Sequence, residues 1–192
     1  RFTETPEPTA HFDLVPFTTG KPDAPGSAIR SSTDQLRWVA GDQKLSGFFS
    51  IDSPGTMALV GFAKDQTLET ATATLSLRSR FGAVYLTALS KNGTLQGDDI
   101  LLTAMARARN EGSRIVRDRF LLDPGNRKGK TIGPVLMEPV TFDLTLHRKD
   151  GIVRVLDHIG VPTGQTLDPD ASGRSAIDTG KLRSPYFLID YP

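Results

Sequence analysis

The chain contains no cysteine. That excludes disulfides, thiolate metal sites and a cysteine nucleophile. Aromatics make up only 7% of the residues, with one Trp and three Tyr, so a stacking platform for sugar rings has few side chains to draw on. Charge of one sign is also missing. Lys and Arg number 23 against 22 Asp and Glu, a formal balance of +1 that gives no reason to expect nucleic acid. No apolar run approaches the roughly 20 residues of a membrane helix, so no membrane partner is expected either. The sequence lacks a phosphate loop, a dinucleotide fingerprint and a Gly-x-Ser-x-Gly elbow, and it shows no repeat at a fixed period. It begins Arg1-Phe-Thr-Glu4, without initiator Met or an apolar leader. The expectation is a processed protein or an excised piece of a larger one.

What is present is short alternation punctuated by turns. In Thr141-Phe-Asp-Leu-Thr-Leu-His147, period two puts Phe142, Leu144 and Leu146 on one face and polar residues on the other. Thr72–Leu77 behaves the same way, with Ala73, Leu75 and Leu77 sharing a face. Further strands are expected over 45–51, 56–62, 83–89, 152–156 and 186–191. Turns are expected at Asp52-Ser-Pro-Gly55, Ser90-Lys-Asn-Gly93 and Lys149-Asp-Gly151. Residues 101–109 are rich in helix formers, but their neighbours are strands, and a strand is preferred there. The first 27 residues carry Pro6, Pro8, Pro16, Pro22 and Pro25 around the apolar patch Phe12-Asp-Leu-Val-Pro-Phe17. They read as an extended arm or linker. Residues 28–192 then form one all-β domain, an antiparallel, jelly-roll-like β-sandwich.

The stretch Asp99-Ile-Leu-Leu-Thr-Ala-Met-Ala-Arg-Ala-Arg-Asn-Glu-Gly112, answered by Gly133-Pro-Val-Leu-Met-Glu-Pro-Val140, resembles runs in a β-rich accessory region. That region follows the catalytic barrel in some large bacterial glycoside hydrolases. Ser31–Trp38, Gly47–Pro54, Val153–Gly160 and Ser184–Phe187 extend the likeness over residues 28–192, with a departure in the basic insertion 115–130. The resemblance implies a non-catalytic, carbohydrate-binding-module-like β-sandwich from a secreted or periplasmic enzyme. Its partners would be the parent's catalytic domain and an oligosaccharide or polysaccharide. Catalytic carboxylates would belong to the barrel, so no catalytic residue is assigned here. A structural or protein-interaction domain without a glycan ligand is the alternative.

Candidate sites follow from chemistry. Trp38 is the sole Trp, and Arg114, Arg117 and Arg127 belong to a basic cluster with Arg119, Lys128 and Lys130. Together they are the glycan-contact candidates, by stacking and by bidentate guanidinium contacts. A solvated loop is the plainer reading of the cluster. Asp168-Pro-Asp-Ala-Ser-Gly173 opens like a calcium loop, with oxygen ligands Asp168, Asp170 and Ser172 and Gly sixth. Thr179 then stands where the loop needs Glu, so the choice lies between a structural calcium and an ordinary Asp/Gly turn. The histidines, His11, His147 and His158, are too scattered for zinc. Glu138, in an apolar setting, is either the acid of a small glycan-active hydrolase or the partner of an Arg in 107–109. The ion pair is preferred.

Overall fold

The computed structural model describes residues 27–41, 46–116, 121–123 and 133–191, with backbone alone for 114–116 and 121–123. The proposed arm lies almost entirely outside the described residues, as do Arg117 and Arg127.

Two antiparallel sheets enclose the core. The larger begins with a meander: β1 (Ala28–Arg30), β2 (Leu36–Ala40), β3 (Gly47–Ser53) and β4 (Thr56–Phe62). The chain then crosses to the smaller sheet for β5 (Thr67–Glu69) and β6 (Ala73–Leu77) and returns as β7 (Gly82–Ala88) and β8 (Asp99–Met105). Between β8 and β13 the chain forms two ribbons. In one, β9 (Ala108–Asn110) pairs with β12 (Val135–Met137); in the other, β10 (Arg114–Val116) pairs with β11 (Leu121–Asp123). The remaining strands are β13 (Thr141–Leu146), β14 (Ile152–Leu156), β15 (Pro162–Leu167), β16 (Arg174–Asp178) and, after the single turn of α1 (Thr179–Leu182), β17 (Tyr186–Asp190). The sheet orders are β1-β2-β3-β4-β7-β8-β17-β14-β15 and β16-β13-β6-β5. The result is an all-β sandwich of two unequal sheets.

Alternation explains how the faces are assigned. Met57, Leu86, Leu102, Phe187 and Val155 oppose one another along one cross-strand row, and all are buried. They meet Leu75, Leu77, Phe142, Leu144 and Ile177 of the smaller sheet in one cluster. Side chains from the two inner faces interdigitate there, as in other sandwiches. Burial of this apolar surface is the main force holding the sheets together.

The strand reading of 101–109 is the one the structure takes. Leu102 and Ala104 point into the core, and burying them on the sheet outweighs the helical preference of the run. Two local details set the sheet's edges. Gly61 has φ +118°, and a Cβ there would come within 2.9 Å of the Gly47 carbonyl, so β4 lies this close to β3 at that point because Gly61 has no side chain. The α1 turn is capped by Asp178, which accepts from Gly180 N and Lys181 N at 3.0 and 3.2 Å.

The outer surface of the smaller sheet is polar. Thr67 and Ser76 share a hydrogen bond at 2.8 Å, and Thr74 lies 3.1 Å from His147 Nε2. Asp143 is buried beneath two cations: Arg78 Nε donates to its Oδ2 at 2.7 Å, and Arg174 Nη1 stands 3.9 Å from the same oxygen. This is the wet face expected of an antiparallel strand such as β13.

Candidate interaction surface

The outer face of the larger sheet is different. One cross-strand row contains Ile29, Trp38, Phe49, Val60, Ala83 and Met105, running from β1 to β8. The next row contains Leu36, Ile51, Ala58, Tyr85, Thr103 and Tyr186. Leu101 and Leu188 oppose each other in a third. A sheet with one side in water alternates apolar and polar residues. Here β3, β4, β8 and β17 are apolar on both sides, the pattern of a sheet covered on both faces. Phe48-Phe49, Met57–Phe62, Ile100–Leu102 and Tyr186–Ile189 are continuous apolar runs, and they were the signal available in the sequence.

Trp38 belongs to this face. It is 39% exposed, outward and flanked by Ile29 and Phe49, so it is not a core residue. Arg114 is on the β10–β11 ribbon, and Arg117, Arg119, Arg127, Lys128 and Lys130 lie outside the described residues.

A second apolar surface lies where the β9–β12 ribbon leaves the sandwich. Val135, Leu136 and Met137 are 65%, 45% and 42% exposed. Being consecutive in a strand, they occupy both faces of the ribbon. Met105 closes β8 just before it. The β14–β15 turn adds exposed Ile159 and Val161 at the same end, because Val155 pairs with Phe187 and the Pro185 carbonyl accepts from Ala104 N. Met137 also walls a shallow groove of about 290 Å³, with Pro139, Gly180, Arg183 and Pro185.

Glu138 stands at the root of this ribbon. Arg107 Nε and Nη2 donate to its two carboxylate oxygens at 2.6 and 2.9 Å, and Glu138 N donates to the Arg107 carbonyl. The Arg107 hydrogen bonds hold the Glu138 carboxyl below its ordinary range. A general acid of a glycosidase needs the opposite shift. The preferred ion-pair reading thus describes the observed geometry.

Asp99 and Asp190 oppose each other across β8 and β17. Asp190 is taken by Arg154 Nε, at 3.1 and 3.0 Å from its oxygens, and neither carboxylate lines any of the three described cavities.

The Asp168 loop is a turn between β15 and β16. Asp170 Oδ1 accepts from Ser172 N at 2.9 Å, Ser172 Oγ at 2.5 Å and Arg174 N at 3.1 Å, while Arg174 Nε reaches Oδ2 at 3.2 Å. Donation by Ser172 and the Arg174 backbone holds this carboxyl down at about 2. A guanidinium on the carboxylate opposes a cation there. The contacts of Asp170 and Ser172 are those of an Asx-type turn, which Asp168 precedes. Among the described residues no cluster of three or more His, Asp or Glu is placed to hold a metal ion. Nor, among them, is any helix long and apolar enough to cross a membrane.

Comparison of the chain with protein families, with curated proteins and with solved structures finds no match.

Proposed function

We propose that this chain is a non-catalytic accessory β-sandwich of a carbohydrate-active enzyme, held against a neighbouring catalytic domain by its projecting ribbon. The observation that carries this reading is the exposure of Val135, Leu136 and Met137 on both faces of β9–β12. A two-stranded ribbon alone is marginally stable in water, and apolar side chains on both faces add a cost that burial against a partner removes. The ribbon is also formed by the two segments that carry the resemblance to glycoside-hydrolase accessory regions. The Arg107–Glu138 bridge fixes its root to the sandwich. The chemistry of the described carboxylates supports the non-catalytic part: Glu138 is ion-paired, and Asp190 is bound by Arg154 on an open sheet face.

The test begins with the coding sequence on the 5′ side of Arg1. It is expected to encode a barrel domain in the same reading frame. In the joined polypeptide, the amides of 135–137 are expected to exchange more slowly with deuterium than in the chain alone. A start codon immediately before Arg1, or equal exchange in both forms, would overturn the reading. So would hydrolysis of a polysaccharide by the purified chain that is lost in Asp99→Asn.

A further inference from the structure

The outer face of the smaller sheet carries a pocket of its own. Two cross-strand rows build its floor. One contains Ala176, Asp143, Ser76 and Thr67; the next contains Arg174, Thr145, Thr74 and Glu69. Period two sends these side chains away from the core, to which the same strands give Leu75, Leu77, Phe142 and Leu144. Arg78 follows β6 directly and brings its guanidinium onto Asp143. The cavity holds about 320 Å³, with Asp65, Arg78, Asp143, Thr145 and Arg174 among its walls. That is the small end of the range for ligand pockets, roughly 300–1,000 Å³, and suits a small molecule or one end of a chain.

Asp143 is the unusual member. An Asp is seldom buried, yet this one is 6% exposed on the outward side of a strand. An ion pair there adds little stability over uncharged residues, because desolvation offsets the attraction. Its contacts are also one-sided. Arg78 Nε donates to Oδ2 at 2.7 Å, and Arg174 Nη1 stands 3.9 Å from the same oxygen. Among the described residues no hydrogen bond goes to Oδ1, and that oxygen is not sealed from solvent. A strong acceptor is therefore left open at the pocket. Donors stand beside it, since a guanidinium has more N–H groups than Arg78 and Arg174 spend on Asp143 and Asp170.

The charges of the walls choose the ligand class. Asp65 and Asp143 balance Arg78 and Arg174, so the pocket favours neither an anion nor a cation. What it offers is an acceptor and donors side by side. A peptide unit presents its N–H and C=O in opposite directions. Adjacent hydroxyls present a donor and an acceptor to the same side.

We propose that this pocket binds a neutral polyhydroxylated ligand, the end or edge of a saccharide, whose adjacent hydroxyls donate to Asp143 Oδ1 and accept from Arg78 and Arg174. No aromatic side chain lines the pocket, so recognition is by hydrogen bonds to the ring edge and not by stacking. The proposal depends on neither the β9–β12 ribbon nor a neighbouring domain. It can fail while the accessory-module reading survives, and the reverse.

Amide NMR of the full chain is followed during titration with neutral probes: galactose, mannose, cellohexaose, maltohexaose and xylohexaose. Sodium sulfate and calcium chloride are titrated separately. The expected result is a saturable shift with at least one neutral probe, centred on Ser76, Asp143, Thr145 and Arg174. Thr145→Phe fills the pocket and leaves the ion pairs in place, and Asp143→Asn weakens the acceptor. Each should weaken that binding about tenfold or more, as the loss of one charge-assisted hydrogen bond does. Circular dichroism and thermal melts check that each variant folds; if Asp143→Asn does not, Thr145→Phe alone decides. No saturable shift at these residues with any neutral probe would overturn the proposal. Saturation by sulfate or calcium alone would overturn it too, making this an ion site. So would neutral binding that Thr145→Phe leaves untouched, which puts the ligand elsewhere.

Discussion

Replacing Glu138 by Gln separates an anchor from an acid. Arg107 is 74% exposed and Glu138 39% exposed, and two hydrogen bonds of 2.6 and 2.9 Å join them. Water screens a pair of this exposure, so its contribution is about 0.2–1 kcal/mol, the bidentate geometry placing it toward the upper part. For a chain of this size, 1 kcal/mol moves Tm by about 2–4 °C. Glu138→Gln is therefore expected to lower Tm by no more than about 4 °C at pH 7. The pH dependence has a definite sign. The folded-state pKa of Glu138 lies below its ordinary value because Arg107 hydrogen-bonds the carboxylate. The pair's stabilisation is thus complete above the unfolded value of about 4.3 and is lost as pH falls through the lower folded value. Scanning calorimetry of wild type and variant from pH 7 to pH 2 should show a Tm gap that closes on the acid side. A double-mutant cycle with Arg107→Gln should recover most of the gap as coupling. A loss above about 10 °C, a gap that persists at low pH, or a glycan hydrolysis abolished by the variant would refute the anchor assignment.

Three further outcomes are expected. Leu102→Ala, in the fully buried row with Leu86 and Phe187, should cost about 2–5 kcal/mol and lower Tm by about 5–20 °C; a change below about 2 °C would mean the two sheets do not pack there. The double variant Val135→Asp, Met137→Asp should leave the Tm of the chain within about 2 °C, because both side chains face solvent, while reducing the binding of a hydrophobic dye; unchanged dye binding would show that the ribbon is not the exposed apolar surface. Carbon-detected NMR should give Asp170 a titration midpoint at about 2, with the Ser172 and Arg174 amides losing protection as pH falls through it, and excess calcium should leave the loop resonances in place. A calcium-dependent shift there would restore the ion reading.

The sequence by itself determined the fold class and the positions of eight strand segments, among them β3, β4, β7, β8 and β13. Period-two alternation is a local property, and Thr141–His147 states its inner and outer faces without help from any partner. The turn residues around Pro54-Gly55 and Asn92-Gly93 were equally legible, since their chemistry acts within four residues. The Glu138–Arg107 pair was anticipated as a type of contact because an acidic residue in an apolar stretch needs a counter-charge. Tertiary structure alone decided which strands are neighbours. Registers such as Trp38 opposite Phe49, and the crossing of β5, β6, β13 and β16 to a second sheet, depend on long-range packing that no local pattern encodes. For that reason the apolar row from Ile29 to Met105 was invisible as a surface. Its six residues come from six strands, each unremarkable alone, and only the ladder puts them side by side. The same applies to Asp170: a carboxylate, a hydroxyl and a glycine suit calcium or a turn equally well in sequence. The folding of Arg174 back onto Asp170 is what gave both its oxygens to the protein's own donors.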